Sequence, residues 1–393
     1  DALKWSAALA VVLVIMAIMP AKHQWFSHDR SQDYVPRDYA YNILAGLEPD
    51  AIIFTNGDND TYPLWYIQMV EGFRPDVNIA NLSLLNTSWY IRQLRDRKPS
   101  VPVTLTDSEI ERVRPMVLKD GGVAWRRDLI MQHIIQEANW KRPIYVAVTV
   151  PPEIWNPYAE HLEMQGMVRK LVTGKKKFQI NEFQTKRNFE DIYEFRGVLT
   201  SDWKVDESIY RTPDIRGMFI NFAVAAFQLA QKASVRKDFV EAIRWAELSY
   251  SLNPDFDFSR RYLGLYYSRA GYFDKAVEHY RREIDRDPSN GVFWIGLVSI
   301  YEDRGDMEGA LEILEKAVIA APGHRDLFGH GFRMSAILGR REQAKVFIRS
   351  WLDDNPGDRE FRNLYDNIDQ VLDTEFGSGG SPAPDSSGRQ IER

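Results

Sequence analysis

Four prolines, Pro254, Pro288, Pro322 and Pro356, follow one another at steps of 34 residues. Four alanines, Ala242, Ala276, Ala310 and Ala344, keep the same step, as do Gly271, Gly305 and Gly339. Each position has a physical reason. A small alanine lets two antiparallel helices approach closely, a glycine takes the tight turn between them, and a proline ends the second helix. Three residue types locked to one period predict a stack of helical hairpins over the last third of the chain.

A period of 34 residues is that of the tetratricopeptide repeat (TPR). The unit Asn290–Gly323 shows the pattern in full: Trp294, Leu297, Tyr301, Gly305, Ala310, Leu314, Ala317 and Pro322. The units near 223–256 and 325–358 are degenerate, as terminal repeats are where one face lacks a neighbour. An array of about four repeats with a capping helix is expected over 215–375, followed by a disordered Gly/Ser/Pro-rich tail over 376–393.

The segment before the repeats follows another grammar. Short apolar runs at 51–56 (AIIFTN), 77–85 and 143–150 read as buried strands, with helices at 61–71, 87–95, 107–118 and 124–140 between them. Alternation of this kind predicts a small, parallel, three-layer α/β domain over 33–212, with strand order 2-1-3 and a polar hairpin at 177–199 on its edge. At the start, Trp5–Met19 is uncharged and lies between Lys4 and Lys22. With Trp5 and Trp25 as interfacial anchors, it reads as a membrane helix over 1–25. The chain opens on Asp1 rather than Met, which suggests a piece of a longer protein. The fold class expected is thus α/β plus all-α: a membrane helix, an α/β domain and a TPR solenoid.

Composition narrows the chemistry. The absence of cysteine excludes disulfides, thiolate catalysis and Cys-ligated zinc. With 50 basic and 56 acidic residues the net charge is −6, so no basic surplus argues for nucleic acid. The seven histidines are scattered without metal spacing, and neither a serine-nucleophile elbow nor a phosphate-binding glycine loop occurs.

Candidate ligand residues cluster where strands are expected to end, the usual binding crevice of an open α/β sheet. They are Asn56, Asp58, Asn59 and Asp60 in one loop, Asn86 and Trp89 in a second, and Glu153 in a third. Asp58 and Asp60 suit cationic groups or sugar hydroxyls. Asp60, like Asn86, also suits the start of a helix. Asp58-Asn59-Asp60 spells an Asp-x-Asp, too short a pattern to assign a metal, and none is assigned. Trp89 and Tyr90 are adjacent, so one faces the core and the other is available to stack on a sugar ring. In the repeats, the first helix of each unit offers Arg261, Arg269, Glu302, Asp303 and Arg333 to a groove that would bind an extended peptide.

The stretches Asn56–Trp65 (NGDNDTYPLW) and Asn81–Tyr90 (NLSLLNTSWY), and more loosely His161–Val172, resemble motifs of the polytopic protein O-mannosyltransferase-like family, a group similar to type C glycosyltransferases. Arg169-Lys170 departs from the family's usual Tyr-Arg. The resemblance implies many membrane helices, of which 1–25 would be the last, a lipid-linked sugar donor, and an extracytoplasmic soluble region (periplasmic in a bacterium) that positions acceptor protein through its TPRs. The acidic catalytic residue of such enzymes lies in an early loop outside this sequence, so no catalytic residue carries over, and no other cofactor is implied. A membrane-anchored TPR adaptor without enzymatic activity is the alternative reading.

Overall fold

The computed structural model describes residues 2–119, 121–174 and 179–375. The tail expected to be disordered, 376–393, lies outside them. The chain divides into two compact units, 1–259 and 260–393.

The first unit opens with helix α1 (Ala2–His28) and α2 (Val35–Ala45). Strand β1 (Ile52–Thr55), α3 (Asp58–Met69), β2 (Asn78–Asn81), α4 (Ser88–Asp96) and α5 (Asp107–Arg112) follow. A short hairpin, β3 (Met116–Val117) and β4 (Val123–Ala124), leads into α6 (Arg126–Ala138), β5 (Ile144–Ala147) and α7 (Pro152–Trp155). Then come β6 (Leu162–Gln165), β7 (Val168–Leu171), β8 (Gln179–Ile180) and α8 (Glu182–Arg187). The long helices α9 (Pro213–Val235) and α10 (Phe239–Leu252) complete the unit.

The sheet runs β2-β1-β5-β7-β6-β8. β1, β2 and β5 are parallel and buried at every residue, as strands covered on both faces must be. Their order is the 2-1-3 expected. The sheet is mixed rather than wholly parallel, however. β7 pairs antiparallel with β5 and turns back into β6 through Gly166-Met167. That turn is tight, because a side chain on Gly166 would lie 2.2 Å from the Tyr193 hydroxyl. Two other expectations are corrected by local chemistry. The polar hairpin at 177–199 is replaced by β8, α8 and a π-turn, because Asn181 accepts from the Gln184 N–H and starts a helix there. The helix at 107–118 ends at Arg112, since Pro115 disfavours helix in the residue before it.

Helix α1 carries its apolar side chains outward: Trp5, Leu13, Met16 and Met19 are all more than half exposed. Among the described residues no helix is long and apolar enough to cross a membrane. The membrane span expected over 1–25 is thus not found among the described residues, where α1 is a helix with an exposed apolar surface.

An aromatic cluster joins α9 and α10 to the mixed sheet. Phe222 of α9 meets Tyr39, Tyr193 and Phe195 at 5.1–6.0 Å between ring centroids, and Phe189 meets Trp245 of α10 at 5.8 Å.

The second unit contains α12 (Phe273–Arg286), α13 (Gly291–Asp303), α14 (Met307–Ala320), α15 (Arg325–Ile337) and α16 (Arg341–Asp354), preceded by α11 (Asp257–Arg269), which begins just before the boundary. These helices form a TPR-like solenoid. Gly271, Gly305 and Gly339 take positive φ (+83°, +75°, +69°), and Ala276, Ala310 and Ala344 are fully buried. The expected cap is two short helices, α17 (Arg359–Asp366) and α18 (Ile368–Glu375). Asp358 starts α17 by accepting from the Phe361 N–H, and Arg325 holds its carboxyl well below the usual range.

Tyr280 shows how closely these helices pack. Its ring is wedged between Gly264 of α11 and Gly296 of α13, where added β-carbons would lie 2.6 and 2.5 Å from ring atoms, and its hydroxyl donates to the Arg261 carbonyl at 2.9 Å. Intrinsic propensity favours alanine over glycine in a helix by about 1 kcal/mol. Here the sign reverses. Gly296→Ala is expected to destabilise the chain by about 1–3 kcal/mol through overpacking, measured by urea denaturation, and Tyr280→Leu in the same background should recover part of the loss.

Candidate functional site

The carboxyl ends of β1, β5 and β2 bring together the three loops that hold the expected ligand residues. After β1 the chain turns through Gly57 (φ +81°) into α3, so that Asp58, Asn59 and Asp60 form its first turn. Acidic groups there face the positive end of the helix dipole. The two aspartates diverge: Asp58 and Asn59 are exposed and Asn56 is half-buried, whereas Asp60 is 2% exposed.

Asp60 is held by donors from three directions. The Tyr39 hydroxyl of α2 donates to Oδ1 at 2.9 Å, the Thr149 hydroxyl after β5 donates to Oδ2, and the Asn56 backbone N–H donates as well. Burial raises the Asp60 pKa despite these bonds. Burial, with the neighbouring carboxylate, also pushes the Tyr39 hydroxyl well up, so it remains a donor. Beside this seat, Asn81 at the end of β2 donates to the Thr61 hydroxyl at 2.7 Å, Thr61 lies 2.9 Å from the Thr55 hydroxyl, and the Leu84 N–H donates to Asn81 at 2.9 Å. The crevice floor is thus a closed polar network, and the unspent hydrogen-bonding capacity faces solvent on Asn56, Asp58 and Asn59.

The second loop departs from the simplest local expectation. Thr87, not Asn86, precedes α4 as its N-cap. Asn86 reaches across instead: its Oδ1 accepts from the Arg127 N–H in the first turn of α6 at 3.1 Å, capping a helix 41 residues on. Tyr90 turns inward and bonds the Ile79 carbonyl at 3.0 Å, leaving Trp89 57% exposed beside it. In the third loop Glu153 is exposed in the first turn of α7.

Residues outside the expected set also belong to this edge. Tyr39 and Thr149 carry no local signal, because their role exists only through Asp60. Arg169 is half-buried, with its guanidinium 4.6 Å from the Trp155 ring centroid and Nη1 donating to the Ala147 carbonyl at 3.1 Å. Burial lowers its pKa to about 10, which leaves it cationic at neutral pH. Its place in the third motif was the available signal. Among the described residues no group of three or more His, Asp or Glu side chains is placed to hold a metal ion.

In the second unit the groove candidates lie on the first helices of successive hairpins: Arg261 and Arg269 on α11, Glu302 and Asp303 on α13, Arg333 on α15. Arg333 donates to Glu302 at 3.3 Å, with His330 at 3.9 Å. Burial alone would raise the Glu302 pKa, but neighbouring His330 and the charge of Arg333 hold it below its ordinary value. Arg261, Arg269, Asp303 and Arg333 are exposed.

Residues 36–119 and 112–188 match the model of TMEM260-associated domain 2, and residues 263–291 and 293–324 match tetratricopeptide repeats. The chain is 26% identical over 219 residues to mouse Protein O-mannosyl-transferase TMEM260, covering 53% of this chain and 29% of that protein. It is 23% identical over 82 residues to Dictyostelium discoideum Protein O-mannosyl-transferase tmem260, covering 21% of this chain and 10% of that protein. It is also 27% identical over 130 residues to the TPR repeat-containing protein YpiA of Bacillus subtilis (strain 168), covering 33% of this chain and 30% of that protein. The chain spans less than a third of the length of each of these relatives. The resemblance carried by the strand-end motifs is to the O-mannosyl-transferase-like proteins, joined here to TPRs.

Asp60→Ala is expected to destabilise the chain by about 2–5 kcal/mol at pH 4, because it strands buried donors on Tyr39, Thr149 and Asn56. The Asp60 pKa is raised on folding, so its stabilising contribution is complete below the ordinary carboxylate value of 3.8 and declines as pH climbs through the raised value. Urea denaturation of both proteins should therefore show a smaller difference at pH 7 than at pH 4.

Proposed function

We propose, on the premise of this resemblance to protein O-mannosyl-transferases, that the chain is the acceptor-handling, extracytoplasmic region of a membrane-embedded glycosyltransferase that uses a lipid-linked sugar. The observation that carries the reading is the extent of the family match. Residues 36–188 include all three strand-end loops, 56–60, 86–89 and 149–153, so the similarity falls on the edge where the candidate ligand residues converge.

In this reading the α/β domain lies at the mouth of the active site. The Asp58 carboxylate and the Asn56 and Asn59 amides hydrogen-bond sugar or acceptor hydroxyls, the Trp89 indole offers an apolar face to a pyranose ring, and Glu153 and the Arg169 cation flank them. Asn86 and Asp60 hold the loops that present these groups. The exposed apolar surface of α1 packs in the apolar surroundings of the membrane part. The TPR groove, with Arg261, Arg269, Asp303 and Arg333, holds an extended segment of the acceptor protein, and the Glu302–Arg333 pair sets the local charge pattern it meets. Bond making and breaking belong to the part of such a protein that this chain does not span.

The test is sugar transfer by the full-length protein. Asp58→Ala should lower transfer at least about tenfold while the protein stays folded and in place, since the residue is exposed. Arg269→Glu should raise KM for a protein acceptor and leave a short peptide acceptor unaffected. Unchanged transfer in Asp58→Ala would remove the loop from the function.

A further inference from the structure

Helix α6 ends in a strained backbone. Asn139 caps it in the left-handed region (φ +42°), as asparagine often does, but Trp140 follows in the same region (φ +60°). A bulky residue rarely adopts that conformation, and residues held there cluster at ligand clamps and other functional sites. The Trp140 indole lies 6.3 Å from the His161 ring between centroids and stays 53% exposed.

This loop closes one side of a cavity of about 310 Å³. Part of the lining is apolar. Tyr145 of β5 pairs with Lys170 of β7, so Ile144 and Leu171, one residue further out, stand side by side, and both are buried. The rest is polar: the Gln136 and Asn139 amides and the Arg142 guanidinium line the cavity with Trp140. Among the described residues those two amides and the Trp140 indole N–H form no hydrogen bond, so their capacity is open to a ligand. Ile144 opens β5, which places the cavity at the amino edge of the parallel strands, away from the carboxyl-edge loops that hold Asp58 and Trp89.

Arg142 is fixed in place. Its Nε donates to the Asp50 carbonyl at 2.7 Å, and Nη1 and Nη2 donate to the Ser100 carbonyl and Asn78 Oδ1, both at 2.6 Å. These bonds leave guanidinium N–H groups over. Charge does not select an ion here: the Asp50 carboxylate opposes the Arg142 charge, and exposed Glu137 opposes exposed Lys141 in sign. The lining offers instead an aromatic face, an apolar floor and planar hydrogen-bonding groups. A pyranose ring matches that set, since its C–H face packs on an aromatic ring while its hydroxyls bond to amide and guanidinium groups. The volume is at the lower end of the roughly 300–1,000 Å³ of small-ligand sites, which fits a mono- or disaccharide.

We propose that this cavity is a carbohydrate site, in which Trp140 stacks on a pyranose ring and Gln136, Asn139 and Arg142 bond its hydroxyls. It stands apart from the strand-end loops, so it holds or fails independently of the role given to them above.

The test uses the whole chain with ¹⁵N-labelled tryptophan. The Trp140 indole N–H signal is the one lost in Trp140→Phe. Titration with the methyl glycosides of mannose, glucose, galactose and N-acetylglucosamine, and with maltose and lactose, at millimolar concentration should move that signal saturably with at least one sugar. Ligand-detected NMR should then show affinity reduced about tenfold in Trp140→Gly and severalfold in Asn139→Gly, and unchanged in Asp58→Ala. Trp140 and Asn139 are exposed and glycine adopts their left-handed backbone freely, so these variants keep the fold. A Trp140 signal that moves with none of these sugars overturns the proposal. So does sugar binding that survives Trp140→Gly undiminished. Sugar binding lost in Asp58→Ala belongs to the strand-end loops and overturns it too. A signal that moves with adenosine alone assigns the cavity to a nucleobase and overturns the carbohydrate assignment.

Discussion

One buried carboxylate organises the edge of the sheet. Asp60 accepts from a helix that precedes it, from the loop after β5 and from the backbone just before its own helix, so two segments distant in sequence and the adjoining turn share one acceptor. A buried charge is costly unless its hydrogen bonds are complete. The constraint therefore acts on position: α2, α3 and the β5 loop cannot drift apart without stranding a charge or a donor. With Asp60 withdrawn into the floor, Asp58 and Asn59 are turned outward at the start of α3.

Elsewhere in the first unit an aromatic cluster does comparable work for α9 and α10. Rings from the 189–195 segment and from both helices meet edge to face, and the segment's own π-turn brings Tyr193 onto the tight Gly166 turn. In the second unit close packing rests on the opposite device, the removal of side chains. Gly264 and Gly296 leave the space that Tyr280 fills, and buried alanines let paired helices approach. Large rings therefore need small neighbours at defined steps, which is why the repeat was legible.

The candidate site was legible in its positions and only partly in its roles. Strand ends followed by Asn, Asp and Gly marked the loops correctly because strand termination and turn chemistry are local. Which aspartate would face solvent was not local. Asp58 and Asp60 are two residues apart in the same turn, and their difference comes from Tyr39 and Thr149. Asn86 reads as the cap of the helix that follows it, yet it caps α6, because the return of α6 to the same edge brings an orphan N–H within 3.1 Å. The antiparallel β6–β7 hairpin was hidden for a similar reason: its alternation is short, and its turn is selected by the close approach of Tyr193. Uncharged character alone did not settle what α1 does: its apolar side chains are exposed, and among the described residues no helix is long and apolar enough to cross a membrane.

The periodic steps of proline, alanine and glycine by themselves determined that the last third of the chain folds as paired helices. Short apolar runs marked β1, β2 and β5 as buried strands, and their alternation with helices set them parallel. These are properties of spacing and composition, readable one segment at a time. Tertiary structure alone decided the antiparallel half of the sheet, the burial of Asp60 and the crossing reach of Asn86. Each depends on which distant groups arrive at hydrogen-bonding or van der Waals distance, and that is decided by how the chain packs in space, not by the order of its residues.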